Sequence, residues 1–296
     1  MLHRLLAACL PLVPTPIMRR LSLKYISGEE LSDALDRLEE LKAQGYPGVI
    51  DLLGEEVSDH DAADAACEEY IKAAEGLAAR SIDAYVSIKP THLGLALDPD
   101  ACLARYRRVA ERCEELGLRA RVEMEDVRFT DATLSLYESL RANHPNTGIV
   151  LQARLFRTPA DIDALSEGDH DVRLVKGVYL EPREVAHTEP KAIRDAYLAC
   201  AEKLLNQGGL LSFATHDDVL VEHLAALIEQ ADAPSPNELQ VLDGVRPSFW
   251  ELWRAAGHTV RVYVPYGPDW RAYSIRRMRK NPLMFRAVIR SALFGD

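Results

Sequence analysis

Residues 83–125 read DAYVSIKPTHLGLALDPDACLARYRRVAERCEELGLRARVEME. Two short β-rich segments, DAYVSIK (83–89) and RARVEME (119–125), flank a helical one. In that helix Leu103, Tyr106, Val109, Cys113 and Leu116 follow one another at three- and four-residue steps, which puts them on a single stripe, and Gly117 supplies a stop. A strand, a helix and a second strand in this order form the crossover unit of a parallel sheet.

The unit repeats along the chain. GVIDLLGE (48–55), GIVLQARL (148–155), VRLVKGVYL (172–180), LLSFATH (210–216), ELQVL (238–242) and VRVYVPYG (260–267) bring the strand candidates to eight. Their starts advance by about 30 residues, the span of a strand, a helix and two loops. The helical segments between them carry the same stripes. One opens with Ser58 as a cap and aligns Ala63, Ala66, Tyr70, Ala74 and Leu77, and another aligns Val221, Leu224 and Ile228. Eight such units predict an α/β fold, a (βα)8 TIM-type barrel spanning residues 46–296, behind an N-terminal helical extension over residues 1–45. No Gly/Ser-rich linker divides the chain.

Bulk composition narrows the function. The 296 residues carry 46 Asp and Glu against 35 Lys and Arg, a net charge of -11, which argues against a nucleic-acid partner. The five cysteines (Cys9, Cys67, Cys102, Cys113, Cys200) are odd in number and form no C-x-x-C pair, as expected of a reduced, cytoplasmic protein. The proline-broken start MLHRLLAACLPLVPTP reads as docking helices in place of a signal peptide. No apolar run approaches the roughly 20 residues of a membrane span, so at most a peripheral membrane contact is expected.

A barrel concentrates reactive side chains at the C-terminal ends of its strands. There the sequence places Glu55, Lys89, Glu123 with Glu125 and Asp126, Gln152 with Arg154, Arg173 with Lys176, Thr215 with His216 and Asp217, Gln240, and Tyr263 with Tyr266. No dinucleotide fingerprint, P-loop or H-E-x-x-H motif occurs, and no H-x-H pair stands on the first strand, so no metal is expected. Lys176 leaves two readings open: a Schiff-base nucleophile of a lyase, or a fixed charge that reaches a cofactor or substrate. Gly177 after it favours the second, because glycine lets a large flat group approach the backbone. Arg276 and Arg277 also leave two readings, since neighbours on a helix do not share a face: a solvated surface, or convergence on an anion.

Taken in order and spacing, DLLGE, YVSIK, VLQ, VKGVYLEP, FATHDD, ELQVLDGVR and VYVPYGPDWRAYSIRR resemble the proline dehydrogenase family of flavoenzyme barrels, the monofunctional bacterial type, from about residue 26 to residue 293. The resemblance implies a C-terminal helix over the barrel mouth whose Arg276 and Arg277 grip a substrate carboxylate, with Lys89 aimed at the same anion. It implies that Tyr263 and Tyr273 pack around the substrate ring, that Glu123 supplies an active-site carboxylate, and that Glu55 pairs with the first arginine. For an FAD cofactor it implies Gln152, Arg173, Val175, Lys176, Gly177, Tyr179, Ala214, Thr215, His216 and Gln240. The implied reaction is hydride transfer from C5 of L-proline, or a related cyclic imino acid, to flavin N5, giving 1-pyrroline-5-carboxylate and passing electrons to a membrane quinone. A non-catalytic flavin-binding relative is the alternative within the same fold.

The chain departs from the family pattern in four places. Glu123 stands where aspartate is usual, Asp243 where tyrosine or histidine is usual, and Lys280 where glutamate is usual; Ala153 and Arg154 follow Gln152 where small-polar and aromatic residues are commoner. They bear on which imino acid is the substrate, because one methylene in a pocket discriminates by roughly 1–3 kcal/mol.

Overall fold

A computed structural model describes residues 15–22, 25–230, 236–271 and 273–275. Eight strands, β1 (Gly48–Leu52), β2 (Ala84–Ile88), β3 (Ala120–Val122), β4 (Thr147–Gln152), β5 (Asp171–Val175), β6 (Leu210–Ala214), β7 (Asn237–Leu242) and β8 (Val260–Tyr266), pair in chain order into a closed barrel. Every neighbouring pair is parallel, including β8 with β1. The expected segment 119–125 shortens to three strand residues, and 172–180 ends as a strand at Val175. In both, the chain leaves the sheet where its polar residues begin to serve the loop.

Helices α1 (Thr15–Ser22) and α2 (Leu31–Ala43) precede the barrel. The outer shell is α3 (His60–Ala79), α4 (Pro99–Glu115), α5 (Thr130–Arg141), α6 (Thr158–Asp163), α7 (Pro190–Gln207), α8 (Asp218–Gln230) and α9 (Pro247–Ala255). The α3 stripe of Ala63, Ala66, Tyr70, Ala74 and Leu77 is buried, as are Tyr106, Val109 and Cys113 of α4. The cap of α3 is Asp59, not Ser58: the Asp59 carboxylate accepts from the Ala62 N–H at 2.8 Å, and the Ser58 hydroxyl donates to that carboxylate at 3.0 Å. A carboxylate is the stronger acceptor for orphan N–H groups, and it complements the helix dipole.

The extension helix α2 is built into the barrel wall. Its Ala34, Leu35, Leu38 and Leu41 are buried against the outer faces of β8 and β1. A Cβ on Gly48 would lie 2.2 Å from Leu38 Cδ2, so that close contact needs glycine at the start of β1. From the same helix Arg37 donates twice to Asp243 in the loop after β7, Nε at 2.9 Å and Nη2 at 2.8 Å. Asp243, one of the four departures, thus meets a guanidinium partner from the N-terminal helix.

Side chains alternate across each strand, so one set faces the helices and the other fills the barrel. The outward set is apolar; Val86, Ile88, Val122, Val172 and Leu174 are fully buried under the helices. The inward set is unusual for such a barrel, where branched aliphatics dominate. It holds ion pairs between Asp171 and Arg121, between Glu238 and Arg261, between Glu123 and Arg173, and between Asp51 and Lys89. Buried charges require such partners. The first two pairs lie toward the strand starts, where the Arg121 and Arg261 guanidiniums flank the Tyr85 ring, 4.6 and 5.3 Å from its centroid.

Candidate active site

The other two pairs stand at the C-terminal end of the barrel. Glu123 follows β3 directly, and its Oε1 accepts from Ser87 Oγ, from Arg173 Nη2 and, at 3.1 Å, from the Tyr263 hydroxyl. Three donors on one oxygen fix the longer glutamate arm. Burial opposes its charge, but Arg173 and Lys89 outweigh burial and hold the carboxyl below the ordinary range. Arg173 reaches on to Gln240 Oε1 at 3.5 Å and lies over the Tyr263 ring, 5.1 Å from the centroid. The Gln240 amide donates to the Tyr85 hydroxyl at 2.6 Å and to Glu238 at 2.7 Å, which links the mouth to the pairs below.

Lys89, one residue past β2, donates from Nζ to Asp51 Oδ1 and, at 3.2 Å, to the carbonyl of Leu52. The turn after it is held by Glu125, whose two carboxylate oxygens accept from the Thr91 N–H (2.8 Å) and hydroxyl (2.7 Å). Burial pushes the Glu125 carboxyl up to about 7 against those two bonds, with Glu55 adding to the rise. His92 in the same turn touches Tyr70 through Nδ1 at 3.1 Å, and burial, with Lys89 nearby, pushes its imidazole down to about 3. It is neutral at physiological pH.

Gln152 ends β4 and is 2 % exposed. Its amide donates to the Glu125 carbonyl at 2.6 Å, while its Oε1 has no hydrogen-bond partner among the described residues; Arg173 Nε is unpartnered and buried in the same way. Gly177, just beyond β5, adopts φ +97°, and a Cβ there would lie 2.6 Å from Gln152 Oε1 and 2.6 Å from Arg154 Cδ. Only glycine keeps that acceptor clear. Arg154 braces the loop by donating to the carbonyls of Tyr179 (2.5 Å) and His187 (3.2 Å).

The remaining expected positions form a second group along the ends of β5, β6 and β7. Lys176 is ion-paired with Asp217, which also accepts from Arg194 at 2.8 Å. Val175 and Ala214 are paired neighbours on β5 and β6. The Thr215 N–H donates to the Gln240 carbonyl at 3.3 Å, and His216 Nε2 accepts from the Leu242 N–H at 3.0 Å. An ion-paired lysine with a side chain 34 % exposed is a poor Schiff-base nucleophile, which needs a desolvated neutral amine. Tyr179 is half-buried in the loop after β5, Glu55 half-buried after β1, and Tyr273 half-buried in the helical turn after β8. Arg276, Arg277 and Lys280 lie outside the described residues.

Two positions of the expected mouth belong elsewhere. Tyr266 has the outward parity of β8 and directs its hydroxyl to Glu69 of α3 at 3.5 Å. Asp126 caps the short turn 127–129 by accepting from the Arg128 N–H at 3.0 Å. The residues missed are Asp51 and Ser87. Both sit inside quoted motifs, and the signal for them is the two-residue alternation that puts Ser87 in phase with Lys89.

Comparisons with known proteins agree with this architecture. The family model described as proline dehydrogenase matches residues 34–284. Proline dehydrogenase 2 of Bacillus subtilis (strain 168) is 32% identical over 260 residues, which are 88% of this chain and 86% of that protein. The proline dehydrogenase of Deinococcus radiodurans is 31% identical over 284 residues, 94% of this chain and 92% of that protein. Among solved structures, proline utilization A (PutA) from Bdellovibrio bacteriovorus, inactivated by N-propargylglycine, superposes with a TM-score of 0.81 at 23% identity, covering 88% of this chain and 32% of that one. The structural likeness shows the fold.

Proposed function

The chain belongs to the proline dehydrogenase family, and from that premise we propose that it oxidises L-proline or a closely related cyclic imino acid, with FAD as cofactor and a quinone-type electron acceptor. Residues 46–296 carry both sites in this reading. The observation that carries the cofactor is the pair of buried, unpartnered atoms at the barrel mouth, the acceptor Gln152 Oε1 and the donor Arg173 Nε. A flat heterocycle with N–H and carbonyl groups satisfies both, and the missing side chain of Gly177 leaves it room.

The residues that would hold the flavin are Gln152, Arg173, Val175, Gly177 and Gln240 at its ring, with Lys176, Tyr179, Ala214, Thr215 and His216 along its tail. When bound, FAD would supply a two-electron acceptor for the hydride of ring C5, and with loss of one proton from the ring nitrogen the product would be 1-pyrroline-5-carboxylate. The chain's own part is placement. Lys89, Arg276 and Arg277 hold the carboxylate, and Tyr263 and Tyr273 close on the ring, fixing one face of it toward the cofactor. Glu123 and Glu55 anchor cations of the mouth, Glu123 through its bond to Arg173. Because Glu123 carries one methylene more than the usual aspartate, the room left for the ring is the property by which this chain selects among proline, hydroxyproline and other imino acids.

No helix among the described residues is long and apolar enough to cross a membrane. A cytoplasmic enzyme that meets its quinone at the inner membrane surface fits the proposal. The test is colour. Purified protein loaded with FAD is yellow, and anaerobic L-proline bleaches its band near about 450 nm, a property of the flavin itself. A protein that takes up no FAD, or whose band no imino acid bleaches, overturns the reading.

A further inference from the structure

Asp51 has no part in the expected site, yet it is the residue that holds Lys89. It lies on β1 with Ser87 of β2 and Pro265 of β8 as its register neighbours, inside the barrel and 1 % exposed. A lysine ammonium has three protons. Among the described residues Lys89 gives one to Asp51 and one to the Leu52 carbonyl, both on β1. The third is left for the mouth.

We propose that Asp51 is a positioning residue for substrate binding: its carboxylate anchors Lys89 against β1, so that the ammonium's remaining proton meets the substrate carboxylate. This rests on the reading of the mouth as an imino-acid site. The groups around the ammonium are Asp51 on β1, Tyr70 on α3, His92 in the turn after β2, Glu123 and Glu125 after β3, and Tyr263 on β8, which faces Asp51. Burial alone would discharge Lys89, and His92 and the tyrosines bring no negative charge at neutral pH. Asp51 and, behind it, Glu123 offset burial and keep the ammonium charged. Glu123 is already engaged by three other donors, which leaves Asp51 as the anchor in direct contact.

The full-length, FAD-loaded protein and its Asp51→Asn variant are compared in two ways. In calorimetric titration with cyclopentanecarboxylate, a ring acid that cannot be oxidised at nitrogen, Asp51→Asn weakens binding roughly 10- to 100-fold, the range for one charge-assisted hydrogen bond, with flavin content unchanged. In turnover, KM for proline rises by a similar factor, kcat changes little, and kcat/KM gains a new fall at alkaline pH as the unanchored Lys89 loses its proton. Pyrrolidine, which lacks the carboxylate, is oxidised by both proteins with the same kcat/KM. In a Lys89→Met background, Asp51→Asn has no further effect on ring-acid binding. Should Asp51→Asn not fold, Asp51→Glu carries the test, weakening ring-acid binding about tenfold by displacing the ammonium while the pH profile stays that of the wild type. Unchanged ring-acid binding in the Asp51 variants, equal losses on proline and pyrrolidine, or a full additional loss in the Lys89→Met background overturns the proposal alone. Wild-type protein that binds no ring carboxylate overturns the reading of the mouth, and the proposal with it.

Discussion

Replacing Gly177 with alanine puts a methyl group into the space between Gln152 Oε1 and Arg154 Cδ, 2.6 Å from each, at a backbone φ of +97°. An L side chain in that conformation costs about 1–2 kcal/mol. The methyl group must also move one neighbour. If Gln152 yields, its amide leaves the Glu125 carbonyl and about 1 kcal/mol more is lost. If Arg154 yields, its bonds to the Tyr179 and His187 carbonyls go instead, at a similar cost. The total is about 2–3 kcal/mol. With a melting entropy of about 2.1 cal/mol/K per residue over 296 residues, Tm falls by about 3–5 °C. Because Gly177 and Gln152 are both assigned to the flavin ring in the proposed site, and the added methyl group occupies the space beside the Gln152 acceptor, flavin content at fixed FAD falls with it. Differential scanning calorimetry and the ratio of flavin to protein absorbance measure both effects. Gly177→Ala protein with unchanged Tm and full flavin would refute the close approach argued for this turn.

Three further outcomes are expected. Glu125→Gln alters the pH dependence of stability: the wild-type carboxyl, raised from 4.5 to about 7, stabilises the fold below pH 4.5 and loses that contribution as pH rises through about 7. Between about pH 5 and pH 8 the glutamine variant therefore gains about 2–3 kcal/mol relative to wild type in urea unfolding, and parallel curves would contradict the assignment. Glu238→Gln removes the charge opposite Arg261 inside the barrel, where both side chains are 7 % exposed, and lowers Tm by about 5 °C at a cost of about 3 kcal/mol; a Tm at or above wild type sinks it. Arg277→Met raises KM for proline far more than it lowers flavin content, since its partner in the proposed site is the substrate carboxylate; equal losses of both would place that residue at the cofactor.

Periodicity made the barrel legible. Ala63 to Leu77 and Tyr106 to Cys113 sit at helical spacing because one face of each helix must be buried, and those faces are buried in the fold. The site is less legible, because a polar residue near a strand end does not by itself say which side of the sheet it faces; its phase along the strand does. Phase separates Tyr263, which meets Glu123, from Tyr266, three residues later on the opposite side of β8. It also marks Asp51, which shares the barrel interior with Ser87 and Lys89. What phase could not supply is pairing across the barrel. Arg173 meets Glu123 from two strands away, across β4, and Arg37 meets Asp243 across 206 residues of sequence, a contact that the pairing of β8 with β1 creates.

The charged interior also guards the chain against an error that greasy barrels tolerate. Sliding one strand by a single residue exchanges the side that faces the barrel interior with the side that faces the helices; sliding it by two preserves that pattern, so hydrophobicity does not detect it. Here it would be detected. With β5 moved two places, Asp171 would stand at the height of Arg173 and confront Glu123, carboxylate against carboxylate. Asp171 would also leave the niche beside Gly148, where its Cγ lies 2.8 Å from the point a Cβ would occupy, and meet Val150. The buried ions act as a proofreading code for strand alignment, independent of any part they play in chemistry.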